Sequence, residues 1–147
     1  MALRTAEQYK EGLKDDRKIF ILGNNVTDVT EDPYIKVGVE TAAFDFILGH
    51  DPEYQDIAVM NSPEGGGDIS SYFEVPDYAE AVKKRFDLVK ASCLYTDAAL
   101  PFVKDVGTDI MNGLLAVARI MGNTTYEQRI NDYRWHCAKN DLSMCGA

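Results

Sequence analysis

Residues 4–33 encode two capped helices on either side of a tight hairpin, and this order constrains the fold more than any other stretch of the chain. Thr5 and Gln8 form an S/T-x-x-E/Q capping box, in which each side chain satisfies a backbone N–H at the helix start. Tyr9 and Leu13 are one helical turn apart, so they give this helix one apolar edge. The sequence therefore predicts a short amphipathic helix near the start of the chain.

A β-hairpin is predicted directly after this helix. The runs 19–22 and 26–29 are rich in β-prone residues, and residues 23–25 (Gly-Asn-Asn) between them tolerate positive φ. Asp32 and Pro33 follow as the expected N-cap and first residue of a second helix, which we expect to continue until Gly49 stops it.

Another helix is predicted after Asp77, the residue expected to be its N-cap. Its polar face carries lysines and Arg85. Its apolar stripe consists of Tyr78, Ala81, Val82, Phe86, Val89 and Cys93.

The last two predicted helices follow in close succession. The first covers 101–121 and is apolar on most sides, so we expect it to be central and buried, with Gly122 as its stop. Thr124 and Glu127 form a second capping box, which starts the final helix. That helix has Tyr126, Ile130, Tyr133 and Cys137 on one face.

The sum of these elements predicts a mainly α fold, a helical bundle with one small N-terminal β-hairpin. Residues 61–68 are the clear loop in the middle of the chain, and 69–75 is β-prone or extended. With 147 residues, of which 46% are hydrophobic and 27% charged, the chain suits one globular domain covering 1–147. The tail 141–147 is apolar and small, and we interpret the chain as truncated from a longer multidomain protein.

Charge and composition exclude several functional classes. The net charge of −9 argues against a general nucleic-acid or anionic-membrane surface. No run approaches the roughly 18 apolar residues of a membrane span, and the start of the chain has no apolar signal region. Three cysteines without a framework spacing favour reduced thiols and a cytoplasmic location.

The most interesting polar residues lie at the start of the apolar helix 101–121. Lys104, Asp105 and Asp109 must face solvent, a partner domain or a cleft, because charged side chains are costly to bury alone. The glycine run 65–67 lacks the strand, helix and lysine of a phosphate loop, so we interpret it as a flexible loop.

The order of motifs resembles the flavin-dependent family that includes 4-hydroxyphenylacetate 3-hydroxylase large components and 4-hydroxybutyryl-CoA dehydratase. The opening T-A-E-Q-Y is joined by D-P-E-Y-Q-D-I (51–57), V-G-T-D-I-M-N (106–112) and N-D-L-S-M-C-G-A (140–147), which resemble the dehydratase branch. The resemblance implies an acyl-CoA-dehydrogenase-like N-terminal domain of a cytoplasmic homo-oligomer, a tetramer in the parent, with FAD held mainly by later domains. It places the region 90–105 nearest the chemistry, with Tyr95, Lys104 and Asp105 as substrate-facing candidates.

The dehydratase branch also implies an iron–sulfur cluster with two cysteines of this domain in a C-x₃-C arrangement. One register places the first on Cys93 and the second on Asp97; another places them on Pro101 and Asp105. The second cluster cysteine is absent in both. The R-x-P-D-Y segment of the hydroxylase branch falls near 102–106, where only Asp105 matches.

Three functions are compatible with these observations. The first is the N-terminal domain of a dehydratase or isomerase that acts on an acyl-CoA, the isolated chain being inactive. The second is the same domain in a reduced-flavin-dependent phenol hydroxylase. The third is a non-catalytic helical interaction module, which the acidic charge and the lack of a catalytic set allow.

Overall fold

The computed structural model of the protein describes residues 3–97 and 103–144, and within these ranges the chain is mainly helical, which confirms the predicted fold class. The helices are α1 (Ala6–Glu11), α2 (Lys36–Ile47), α3 (Gln55–Ala58), α4 (Ala79–Tyr95), α5 (Asp105–Ile120) and α6 (Thr124–Lys139). The strands are β1 (Ile19–Ile21), β2 (Asn24–Val26), β3 (Val59–Ser62) and β4 (Gly67–Ser70), and short 3₁₀ turns cover Leu48–His50 and Ser71–Phe73.

The capping box at the start of α1 is confirmed. The backbone N–H of Gln8 donates to Oγ1 of Thr5 at 3.2 Å, and the backbone N–H of Thr5 donates to Oε1 of Gln8 at 2.9 Å. Two N–H groups that the helix leaves free are satisfied by these reciprocal bonds.

The N-terminal hairpin is confirmed, but its turn lies one residue earlier than predicted. Ile19 of β1 is opposite Val26 of β2, so the two-residue turn consists of Leu22 and Gly23, with φ of 49° and 82°. Two successive positive φ values are the type I′ geometry that matches the twist of the strands. The asparagines expected in the turn belong to β2.

A second antiparallel hairpin, β3–β4, occupies most of the segment 61–68 that the sequence predicted to be a loop. Gly65 and Gly66 belong to its turn, in which Gly66 has φ of 85°, and Gly67 begins β4. The expected extended segment 69–75 is also only partly correct, because it continues from β4 into a 3₁₀ turn. Glycines mark a turn as readily as a long loop, and strands this short give little alternation to detect.

The helices α2, α4 and α5 start later than predicted; α5 begins at Asp105 where the sequence predicted a start near 101. Asp32 accepts a hydrogen bond from the backbone N–H of Tyr34 at 2.9 Å, so Asp32-Pro33 forms a turn before α2 instead of its N-cap. Tyr78 has the N-cap position of α4, without a side-chain bond, where Asp77 was expected.

The start of α6 is also shifted by one residue. Asn123, not Thr124, is the N-cap, and its Oδ1 accepts from the backbone N–H of Tyr126 at 3.0 Å. Gly122 ends α5 with φ of 63°, as the sequence predicted.

Replacing this cap tests the assignment. Asn123→Ala is expected to lower the free energy of unfolding by about 1 kcal/mol, since one orphan N–H loses its acceptor. Thr124→Ala is the control and is expected to have a smaller effect. Urea denaturation followed by circular dichroism measures the free energy of unfolding of both variants. A larger loss of stability for Thr124→Ala than for Asn123→Ala would favour the predicted capping box over the cap at Asn123.

The buried apolar residues form three packed clusters. Tyr9 of α1 stacks on Phe46 of α2 with ring centroids 4.5 Å apart, at the centre of the first. The second packs α2 against the 3₁₀ turn 71–73 and α4. The third joins β4, α5 and α6 around Phe73.

Helix α4 is rotated about its axis relative to the orientation that its apolar pattern predicted, so only part of the predicted stripe is buried. Val82 and Phe86 of the predicted stripe are exposed, at 54% and 66% of their surfaces. Arg85, from the predicted polar face, instead reaches inward and donates to the carbonyl of Tyr72 at 2.9 Å and that of Asp105 at 2.9 Å. The buried residues of this helix are Ala81, Leu88, Ala91 and Ser92.

Helix α5 is not central, so the prediction that it is buried is wrong. Met111 and Leu115 face the core, at 5% and 1% exposed. The other apolar side is open, with Leu114 at 53% and Ile120 at 86%. A helix that is apolar on all sides can be buried on all sides. Its composition does not tell whether another part of the chain packs against each side.

Gly107 allows close contact between α5 and the end of the described chain. A Cβ at this position would overlap the backbone and Cβ of Met144. Gly107→Ala is therefore expected to destabilise the protein by about 1–3 kcal/mol through overpacking.

Gly113 of the same helix is the matched control, because a Cβ there meets no atom within 4 Å. Gly113→Ala is expected to stabilise the protein by roughly 0.5–1 kcal/mol, since alanine restricts the unfolded chain and favours helix. Thermal or urea unfolding is expected to show a loss of stability for Gly107→Ala and a gain for Gly113→Ala. Equal changes in the two variants would contradict the close contact between Gly107 and Met144.

Candidate functional site

Lys104 is the centre of a buried charged cluster, in the residue before α5. Its side chain is only 1% exposed, and its Nζ lies 2.7 Å from Oδ1 of Asp141 and 3.9 Å from the ring centroid of Phe46. Burial lowers the pKa of Lys104 below its usual value, and the carboxylate of Asp141 opposes that shift. A buried ammonium is held by one carboxylate and one aromatic face.

Asp141 joins this cluster to the N-terminal segment. Its Oδ2 accepts from the backbone N–H of Arg4 at 3.0 Å, and its carbonyl accepts from Nε of Arg4 at 2.8 Å. The guanidinium of Arg4 also lies 4.8 Å from the ring centroid of Phe46. The two ends of the described chain are therefore tied together over one aromatic ring.

Asp45 of α2 is a second buried carboxyl near Lys104. Its Oδ1 accepts from the Ser92 hydroxyl at 3.1 Å and from the Tyr72 hydroxyl at 3.4 Å. Among the described residues, its Oδ2 has no hydrogen-bond partner. Burial raises the pKa of Asp45 to about 6, although the charge of Lys104 and the bond from Ser92 oppose the shift.

The structure places the three predicted substrate-facing residues in different surroundings. Lys104 lies in the buried cluster. Asp105 is 7% exposed, and its Oδ1 accepts from the backbone N–H of Val106 at 2.8 Å, at the start of α5. Tyr95 is 60% exposed and stacks on Phe44 with ring centroids 3.7 Å apart. Their roles toward a substrate stay a prediction.

Tyr95 borders a groove of about 540 Å³ between α1 and α2. This groove has a mixed lining, in which Lys10 and Glu40 form an ion pair of 2.6 Å and His50 lies at the edge. Asp109, the third charged residue singled out at the start of α5, is exposed and pairs with Arg85 at 2.7 Å.

A second groove, more apolar and of about 370 Å³, lies between α5 and α6. Ile110 and Leu114 of α5 and Ile130 and Tyr133 of α6 form its walls, with Arg129 at its edge. Sequence reasoning assigned these apolar residues to the bundle core and so did not identify an open groove.

Sequence reasoning also missed Asp45 and Asp141. Asp45 is the single carboxyl in the apolar run A-A-F-D-F-I-L (42–48), and a lone charge on the buried face of a helix is the signal that could have identified it. Asp141 offered no comparable signal, because its partners are far from it in sequence.

The predicted cluster ligands are not grouped in the described residues. Cys93 is half-buried on α4, and Cys137 is buried on α6, where burial raises the pKa of its thiol. In the ranges 3–97 and 103–144, no group of three His, Cys, Asp or Glu side chains is arranged to hold a metal ion. Pro101 and Cys145 lie outside the described residues. The described residues do not fit an iron–sulfur cluster.

Within the described part of the chain, no helix combines the length and apolar character needed to cross a membrane.

The fold and these two candidate sites define a mainly helical protein with a buried polar cluster and an uncovered apolar groove. The chain belongs to the family described as "4-hydroxyphenylacetate 3-hydroxylase N terminal", whose model matches residues 5–147. This membership confirms the resemblance seen in the sequence.

Two relatives represent the two branches of that resemblance. The 4-hydroxybutyryl-CoA dehydratase/vinylacetyl-CoA-Δ-isomerase of Clostridium aminobutyricum is 24% identical over 149 residues, which cover 99% of this chain and 30% of the relative. The oxygenase component of 4-hydroxyphenylacetate 3-monooxygenase from Escherichia coli is 33% identical over 86 residues, covering 58% of this chain and 16% of the relative. The chain therefore spans less than a third of the length of either protein.

Solved structures share the fold. An oxygen-tolerant archaeal 4-hydroxybutyryl-CoA dehydratase from N. maritimus matches with a TM-score of 0.79 and 19% identity, over 95% of this chain and 28% of the other. The oxygenase component of 4-hydroxyphenylacetate 3-monooxygenase, in complex with FAD and 4-hydroxyphenylacetate, matches with a TM-score of 0.80 and 23% identity, over 95% and 29%.

Proposed function

We propose that the chain is the N-terminal helical domain of a flavin-dependent dehydratase or isomerase that acts on an acyl-CoA. The observation that carries this proposal is the extent of the match. The dehydratase relative aligns with 99% of the chain, whereas the E. coli oxygenase relative aligns with 58%. The other domains of such an enzyme would hold most of the FAD and complete the site of which these 147 residues form one part.

The apolar side of α5 and α6 supports a role as one wall of a site completed by other domains. Leu114, Val117 and Ile120 are all more than half exposed, and they continue the groove that Ile110 lines. Exposed apolar surface of this extent favours a covering partner. In the parent enzyme, this wall would exclude water from the reacting part of the substrate.

FAD is the cofactor of the proposed parent, and the domains that follow would hold most of it. We therefore expect the isolated chain to bind FAD weakly or not at all. Mixing the protein with FAD and separating free flavin by gel filtration measures this, with the longer parent polypeptide as the positive control. A stoichiometric yellow complex with the isolated chain would contradict this division of the flavin site.

A reduced-flavin-dependent phenol hydroxylase is the second candidate. The observation that favours it is the higher identity of the oxygenase relative, 33% against 24% for the dehydratase, within the shorter matched region. Aerobic conversion of a phenol by the full-length parent with a flavin reductase would favour this function. Anaerobic conversion of 4-hydroxybutyryl-CoA would favour the first.

Two finer features belong to the same proposal. We expect a cytoplasmic homo-oligomer, a tetramer in the parent, as the family resemblance implies. The uncovered apolar face supports only the presence of a covering partner. The non-catalytic interaction module remains the alternative from another class. The gene sequence beyond the codon for Ala147 distinguishes them, since further β-rich coding sequence favours the enzyme and a stop codon favours the module.

A further inference from the structure

A small internal cavity lies beside the two buried charged groups Asp45 and Lys104. Its volume is about 10 Å³, and its lining includes both of these residues together with Ser70 and Tyr72. A cavity of roughly 10–15 Å³ holds one water molecule when several polar groups face it. The size of this cavity therefore suits one water and nothing larger.

The polar groups around the cavity have unused hydrogen-bonding capacity. Oδ2 of Asp45 has no partner among the described residues, although Asp45 is only 4% exposed. Lys104 carries three N–H donors, and within the described ranges its Nζ has one hydrogen-bond acceptor, Oδ1 of Asp141 at 2.7 Å. Buried polar atoms without partners are rare, and ordered water commonly satisfies them.

We propose that this cavity is a binding site for a single structural water, which accepts a hydrogen bond from Nζ of Lys104 and donates one to Oδ2 of Asp45. The second hydrogen of the water is available to the hydroxyl oxygen of Ser70, which also lines the cavity. The water gives Oδ2 of Asp45 a partner and Nζ of Lys104 a second acceptor, without moving a side chain.

The same site suits both protonation states of Asp45. An ionised Oδ2 accepts from the water, and a protonated Oδ2 donates to it, since a water molecule can play either role. A metal cation is disfavoured at this position, because the positive charges of Lys104 and Arg4 border the same cavity. The water site is independent of which reaction the parent protein performs.

The N-terminal segment forms one wall of the cavity. Leu3 and Arg4 belong to its lining, and Leu3 lies so near Gly49 that a Cβ there would come within 2.7 Å of its Cδ1. The hydrogen bonds between Arg4 and Asp141 hold this segment in place. We therefore expect the water to exchange slowly with bulk water.

Crystal structures of the protein and two variants test this site. The wild type is expected to show ordered density within hydrogen-bond distance of both Oδ2 of Asp45 and Nζ of Lys104. Asp45→Leu, which keeps the branching of the side chain and removes its oxygens, is expected to lose this density. Ser92→Ala is the matched control and is expected to retain it, because Ser92 bonds only the other oxygen of Asp45.

Oxygen-17 magnetic relaxation dispersion gives a second measurement that does not need crystals. It counts long-lived internal waters, and Asp45→Leu is expected to show one fewer than the wild type and Ser92→Ala. A direct bond between Asp45 and Lys104 without density between them, or an equal water count in the wild type and Asp45→Leu, overturns the proposal.

Discussion

Asp141→Asn is expected to lower the free energy of unfolding by about 3–5 kcal/mol, the range observed when one partner of a buried ion pair is removed. The variant removes the carboxylate that pairs directly with the ammonium of Lys104, whose side chain is 1% exposed. Asn isolates the effect of the charge, because it tolerates the left-handed φ of 45° found at this position. The carbonyl of residue 141 can still accept both bonds from the guanidinium of Arg4.

A double-variant cycle separates this interaction from general damage to the fold. Lys104→Met removes the buried charge while retaining much of the side-chain volume. Its combination with Asp141→Asn is expected to be clearly more stable than Asp141→Asn alone. Urea denaturation at neutral pH measures all three.

The surface pair Lys10–Glu40 is the control for this experiment. Its atoms are 2.6 Å apart, but the side chains are 31% and 52% exposed, so Glu40→Gln is expected to cost at most about 1 kcal/mol. A similarly small loss for Asp141→Asn would mean that the Lys104–Asp141 pair contributes no more than an ordinary surface pair.

In contrast to Asp141→Asn, Asp45→Asn is expected to raise the free energy of unfolding, by an amount that depends on pH. The pKa of Asp45 is raised to about 6 in the folded protein, so the folded state binds this proton more tightly than the unfolded chain does. The stability of the wild type therefore falls, relative to the variant, as the pH rises from about 4 to 6. At pH 8, where the full difference is reached, Asn is expected to stabilise the protein by about 3 kcal/mol.

Unfolding at pH 4 and at pH 8 tests the sign. We expect a small difference between wild type and Asp45→Asn at pH 4 and the large one at pH 8. Ser92→Ala is the matched comparison, because it removes a hydrogen bond that lowers the pKa of Asp45. This variant is expected to destabilise the protein more at pH 8 than at pH 4. A stabilisation by Asp45→Asn that does not change with pH would mean that Asp45 does not titrate in this range.

Local signals in the sequence predicted local structure well. The Thr5–Gln8 box and the Gly122 stop were confirmed, because each involves backbone groups within one turn of the chain. The helix starts predicted at Asp32 and Thr124 were wrong by a few residues, because short-range bonds of the same kind are made there by other residues or in another geometry. Several neighbouring polar residues can make similar short-range bonds, and composition alone does not choose among them.

Burial was predicted less well, because it depends on contacts far apart in sequence. Helices α4 and α5 each have more than one face that could be covered. In the stripe predicted on α4, Val82 and Phe86 are exposed, whereas Ala81 is buried as predicted. Arg85 shows why this happened. Its long side chain supplies hydrogen bonds to two carbonyls inside the bundle, which a purely apolar face could not supply.

The candidate site was predicted only in part. Lys104 and Asp105 stood out in the sequence as charges at the start of an apolar helix, but the sequence did not show that the side chain of Lys104 lies inward. Its partner Asp141 is 37 residues away, and Asp45 comes from another helix. Such a cluster exists only after the elements have packed, so no local pattern encodes it.

The contact between Arg4 and Asp141, which are 137 residues apart, has a consequence for how the protein is made. On the ribosome, Arg4 and Lys104 are both synthesised before their common partner exists, and a contact of such separation forms late. In a nascent chain that ends before residue 141, the side chain of Lys104 does not yet have the carboxylate with which it pairs. The first helices can form during translation, whereas the contacts that join Arg4 and Lys104 through Asp141 must wait for the turn that follows α6.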